Sequence, residues 1–166
     1  MRDRGRILVR GIVQGVGFRP FVYARAHALG IRGSVKNTGS QVEIDAWGDR
    51  FEVFLAEVSR GPPLARIDYV EVRQLGGSPQ PGFLILTSSA GTLSGMIPPD
   101  VATCGECVGD LFDEESRYRG YFATSCVNCG PRYSIIGSLP YDRDRTSMVS
   151  FPMCPEFGRE YADRAC

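Results

Sequence analysis

Two stretches of this 166-residue chain carry residue types at spacings that could do chemistry. The first is Gly15-Val16-Gly17-Phe18-Arg19, which joins an alternating apolar run to the start of a helix. Glycine accepts positive φ without a Cβ penalty, so such a loop can curl until successive N–H groups converge on one point. A helix N-terminus adds further free N–H groups and a partial positive charge. Arg19 adds a planar fork matched to phosphate oxygens. Together these make a cradle for a tetrahedral anion. The run lacks the Gly-Lys-Ser/Thr of a Walker loop. A tight turn with a surface arginine has the same local sequence, so the glycines alone leave both readings open.

The second stretch is a pair of knuckles, Cys104-x2-Cys107 and Cys126-x2-Cys129, with 18 residues between them. That is the spacing of a four-thiolate, tetrahedral structural Zn2+ site, closed to water and therefore not catalytic. All six cysteines lie beyond residue 100. Such clustering points to metal binding in a reducing compartment rather than to a disulfide framework, the alternative for the same residues. Cys154 and Cys166 do not complete a second set by themselves.

Elements must position these groups. Residues 6–14 alternate and are rich in Ile and Val, which predicts a strand. Pro20 suits a first helical turn, and Phe21, Val22, Ala24, Ala28 and Leu29 follow at helical spacing up to Gly30. Residues 31–38 and 41–48 read as strands around a Gly39-Ser40 turn, with Val42, Ile44 and Ala46 on one face. Phe51, Phe54, Leu55 and Val58 predict a helix over 49–60, and strands follow at 66–75 and 83–86. The order is βαββαβ with the short last strand in addition, an α+β, ferredoxin-like pattern. The expected division is a domain over 1–90, a linker over 91–99 and a small irregular region over 100–166, which needs a metal as its staple. The chain's sole histidine, His27, is read as structural or solvent-facing, and Trp47 as packing.

Charge excludes some functions. The chain is neutral overall, with net +4 over residues 1–90 and net −4 over residues 91–166. An acidic cysteine-bearing half argues against a phosphate-backbone partner, so no nucleic acid is expected. No apolar run reaches the ~18 residues of a membrane span, and the N-terminal residues form no secretory pattern. No membrane partner and a cytoplasmic location are the expectations.

The longer string Val13-Gln-Gly-Val-Gly-Phe-Arg19, followed by a helix, Gly33-Ser-Val-Lys-Asn37 and Val42-Glu-Ile44, resembles the acylphosphatase family. The resemblance implies that Arg19 and the N–H groups of Gly15, Val16, Gly17 and Phe18 bind phosphate, and that Asn37 orients the attacking water. Such chemistry needs no covalent nucleophile, because an acyl phosphate is already activated; holding, neutralising and aligning suffice.

Beyond the knuckles, Cys129-Gly-Pro-Arg-Tyr-Ser-Ile-Ile136, Leu139-Pro-Tyr-Asp-Arg143 and Phe151-Pro-Met-Cys154 resemble the zinc-finger region of the HypF family, the carbamoyltransferases of [NiFe]-hydrogenase maturation. An acylphosphatase domain followed by this region is that family's N-terminal architecture. The resemblance implies hydrolysis of carbamoyl phosphate or a similar small acyl phosphate. It further implies a role in carbamoyl supply for the hydrogenase's cyanide ligands and a HypE-type partner reached through later domains, which this sequence does not contain. The family pattern has a cysteine where Phe157 stands and a further Cys-x2-Cys, so a second site at Cys154 and Cys166 is expected to be incomplete. The competing expectation is a shortened remnant acting as a non-catalytic, zinc-stabilised interaction module.

Overall fold

The computed structural model describes residues 2–89 and 96–162. The first half forms five strands and two helices: β1 (Arg4–Ile12), α1 (Phe18–Leu29), β2 (Arg32–Thr38), β3 (Gln41–Trp47), α2 (Phe51–Arg60), β4 (Arg66–Arg73) and β5 (Phe83–Ile85). The strands lie in the order β4-β1-β3-β2-β5. All neighbours are antiparallel except β2 and β5. The expected ferredoxin-like α+β sheet is therefore present.

Period-2 and period-3.6 patterns meet in one core. Val42, Ile44 and Ala46 of β3 and Ile7 and Val9 of β1 are fully buried. They pack with Phe18, Val22 and Ala26 of α1 and Phe51, Phe54 and Val58 of α2. The intervening strand residues form cross-strand ion pairs: Arg6 with Asp45 at 2.6 Å and Lys36 with Glu43 at 3.1 Å. Gly33 has φ +139°, and a Cβ there would lie 1.9 Å from the Asp45 carbonyl oxygen, so β2 approaches β3 this closely only through glycine.

Sequence boundaries move by one or two residues at several ends. β1 ends at Ile12, not at residue 14, because Gln14 leaves the ladder and its Nε2 donates to the carbonyls of Gly39 and Gln41 instead. β4 ends at Arg73 rather than residue 75. Residues 91–95 of the expected 91–99 linker lie outside the described residues, as do residue 90 and Cys166. The second half is less irregular than its composition suggests. It contains two eight-residue helices, α3 (Gly105–Phe112) and α4 (Pro155–Ala162), and two short 3-10 turns at Arg143–Arg145 and Ser147–Ser150. Among the described residues no helix is long and apolar enough to cross a membrane.

Phe54 is fully buried between α2 and the sheet, with its ring edge-on to Phe83. Phe54→Ala is expected to cost about 3–5 kcal/mol. Urea unfolding with an unchanged m-value should read this loss as a lower midpoint.

Candidate anion cradle and metal centre

The loop between β1 and α1 curls as its glycines allow. Gly15 (φ 68°) and Gly17 (φ 71°) are both left-handed, on either side of Val16. Val16 and Phe18 point their side chains into the core, each 2% exposed. That anchoring holds the loop from beneath. Helix α1 begins at Phe18 with Gly17 as its cap; no side chain caps it, and its first turn has no acidic residue. Its N-terminal amides thus keep their capacity for an anion.

Arg19 leads from this turn toward the second half of the chain. Its Nη1 donates to Ser88 Oγ at 3.3 Å, and its Nη2 to the Tyr141 carbonyl at 3.2 Å and to Asp142 Oδ1 at 2.8 Å. Asn37 sits on β2 opposite Val42 and is 1% exposed. Its backbone carbonyl accepts from the Ser89 amide, so the segment that touches Arg19 at Ser88 is also bonded to Asn37. Both polar atoms of the Asn37 side chain are buried without a partner among the described residues. An unpaired buried amide costs about 1–3 kcal/mol, so this side chain is an exception among the buried polar groups of the described residues.

His27 is exposed on α1 and stacks on Tyr23 at 4.5 Å, well served by the solvent-facing reading. Trp47 is half-buried at the end of β3, and its indole N–H is buried without a partner.

The four knuckle cysteines converge. Their sulfur atoms all lie within 4.8 Å of one another. The neighbouring pairs Cys104–Cys126, Cys126–Cys129 and Cys129–Cys107 are 3.8, 3.8 and 3.6 Å apart. A tetrahedral metal with sulfur bonds of ~2.3 Å sets its ligands about 3.8 Å apart, whereas a disulfide needs ~2.05 Å. The donor set therefore fits a soft divalent metal, and the cysteines are free thiols. Cys104 caps α3 and Cys107 lies in its first turn. The Cys126 and Asn128 amides donate to the sulfurs of Cys129 and Cys126. Burial pushes the Cys107 and Cys126 thiols up. Burial opposes ionisation at Cys129 too, but amide hydrogen bonds from Cys126 and Cys104 and thiol hydrogen bonds from Cys107 and Cys104 together outweigh it and bring that thiol to about 7. Cys154 is exposed and stands apart from the cluster, its sulfur accepting from the Phe157 amide.

Sequence reasoning did not assign roles to the residues that join the two halves. Gln14 Oε1 accepts from the Tyr141 amide at 2.8 Å. Arg132 Nε donates to the Gly15 carbonyl at 2.7 Å. A Cβ on Gly15 would meet Pro98 and the Tyr141 ring at 3.3–3.4 Å. These residues lie within strings whose likeness to the HypF region is visible, but nothing in one sequence says that they fold onto the glycine loop.

The acylphosphatase family model matches residues 5–85, and the HypF finger model matches residues 103–136. Carbamoyltransferase HypF of Rhodobacter capsulatus is 48% identical over 161 residues, covering 96% of this chain and 22% of the relative. The acylphosphatase of Caldivirga maquilingensis is 47% identical over 78 residues, covering 45% of this chain and 82% of the relative. A crystal structure of full-length HypF in a phosphate- and nucleotide-bound form superimposes with a TM-score of 0.92 at 39% identity, over 97% of this chain and 22% of that one. The chain spans about a fifth of the length of the HypF relatives it matches.

Elemental analysis should find close to one metal ion per chain, and Cys129→Ser should reduce it several-fold. A value near two would mean that Cys154 takes part in a second site.

Proposed function

Because the chain belongs to the acylphosphatase family and carries in order the acylphosphatase and zinc-finger regions of the HypF family, we propose that it hydrolyses carbamoyl phosphate or a similar small acyl phosphate. The phosphate rests on the amides of Gly15, Val16, Gly17 and Phe18, and Arg19 neutralises the charge that builds on its oxygens. The Asn37 carboxamide aligns the water. Hydrolysis of carbamoyl phosphate then yields inorganic phosphate and carbamate. The observation that carries this reading is Asn37: a fully buried carboxamide with neither atom paired, bonded through its backbone to the segment that touches Arg19.

The four knuckle cysteines hold Zn2+ in a structural role, since four thiolates close a tetrahedral sphere. Within a whole HypF-type protein, the hydrolytic step supplies carbamoyl chemistry to later domains and a HypE-type partner, toward the cyanide ligands of [NiFe] hydrogenase. The acylphosphatase unit occupies residues 1–90, the zinc region 100–166, and residues 91–99 connect them.

One observation favours a second reading, a non-catalytic module stapled by zinc. Asp142 already neutralises Arg19 at 2.8 Å, so the guanidinium could serve only as a strut between the halves.

Phosphate release from carbamoyl phosphate and acetyl phosphate separates the two. Arg19→Ala is expected to lower turnover on the order of 10²–10³-fold with the circular dichroism spectrum unchanged. Equal turnover in wild type and Arg19→Ala would leave only the strut. Asn37→Leu replaces the unpaired amide by an apolar group of similar shape. It should abolish turnover while raising the unfolding free energy by about 1 kcal/mol. A loss of stability together with activity would point to a structural Asn37.

A further inference from the structure

Arg132 is 3% exposed, yet among the described residues its guanidinium meets no carboxylate. Instead it donates to three backbone carbonyls: Gly15 through Nε, Gly130 through Nη1 and Val127 through Nη2, each at 2.7 Å. Its own backbone amide donates to Asp100 Oδ1 at 2.6 Å, which fixes the start of the side chain. Val127 lies inside the second cysteine knuckle and Gly130 directly after it. One rigid, planar group thus touches the knuckle twice and the glycine loop once.

Gly15 is where that contact matters. In a trans peptide the carbonyl oxygen and the next N–H point in opposite directions. Fixing the Gly15 carbonyl on Arg132 therefore fixes the Val16 N–H on the far edge of the same plane. Gly15 itself resists rotation least, having no Cβ, so an external clamp is needed to hold one orientation. Three backbone carbonyl dipoles solvate the buried cation in place of a carboxylate.

We propose that Arg132 is a positioning residue for the anion cradle, which sets the Gly15–Val16 peptide from the cysteine knuckle so that assembly of the metal site organises the phosphate loop. This rests on the reading of Gly15 to Phe18 as a phosphate site, but its structural half stands apart from it. Lysine cannot reproduce the link, because a single ammonium lacks the fork that spans three carbonyls.

The test uses the full 166-residue chain, with inorganic phosphate as the probe. Amide hydrogen exchange over residues 15–19 and two-dimensional amide spectra are recorded for wild type, Arg132→Gln and Arg132→Lys. Thiolate-to-cobalt absorption of each cobalt-loaded protein reports whether the cysteine site is intact. In Arg132→Gln, exchange over residues 15–19 should speed about 10-fold or more, the phosphate dissociation constant should rise at least about 10-fold, and the downfield shift of the Val16 amide on adding phosphate should vanish. The cobalt bands should persist. Arg132→Lys, which keeps the charge, should recover part of the phosphate affinity but not the slow exchange. Chelating the metal from wild type should reproduce the fast exchange, and chelating it from Arg132→Gln should add little. Exchange over residues 15–19 that is unchanged by both the substitution and the chelator would overturn the proposal. Should wild type bind no phosphate at all, the reading of the cradle fails, and the exchange data still decide the role of Arg132. If Arg132→Gln loses its cobalt bands, the wild-type chelation experiment alone decides.

Discussion

An alternation anchors the candidate site: Val16 and Phe18 are held in the core, while the glycines before each of them take left-handed backbone. The side chains bind the loop to the hydrophobic interior, and the glycines let the backbone reverse between them. A larger residue at Gly15 or Gly17 would demand a conformation that side chains rarely adopt. The curl is therefore a product of burial and sterics together, and neither alone would orient the amides. The proposed anion capture, from the uncapped start of α1 to the reach of Arg19, depends on this turn.

The second half depends on the first in an asymmetric way. It buries little apolar surface of its own; Phe112 and Phe122 stand 74% and 94% exposed. Among its described residues the buried ones are Pro98, Pro140, the thiols Cys107 and Cys129 and the polar residues Arg132 and Thr146. A segment without a core needs a different source of folding energy, and coordination of a metal by four thiolates can supply it. The polar contacts of Arg132, Tyr141 and Asp142 then dock the assembled region onto the β1–α1 loop.

Much of this was legible in the sequence, and the physical reason is locality. Strands and helices of the first half follow from period-2 and period-3.6 burial, which one chain displays openly at Val42, Ile44, Ala46 and at Phe51, Phe54, Val58. The metal cluster follows from short-range knuckles whose distances to each other need only one turn of geometry. Helices α3 and α4 escaped because eight residues give too little periodicity among Gly and Pro. The end of β1 was misjudged because Gln14 exchanges a ladder position for side-chain bonds to Gly39 and Gln41. The docking of Arg132 and Asp142 could not be read at all, since it joins residues 117 and 123 positions apart through polar contacts that carry no periodic signal.

The Arg19–Asp142 pair fits the hydrolytic reading better than its charge balance first suggests. A long arginine side chain in a first helical turn has many rotamers, and ordering it at the moment of binding would cost entropy. Asp142, Ser88 and the Tyr141 carbonyl hold the fork beforehand, with both ion-pair partners about a quarter exposed. An incoming phosphate would have to displace this part-buried, charge-assisted hydrogen bond. A phosphoryl group brings more charge and also gathers the loop amides, which Asp142 does not engage in the described contacts. On the proposed reading the pair would hold the guanidinium in place for the incoming anion, and the Asn37 side chain, unpaired among the described residues and joined to the same segment through its backbone, would align the water.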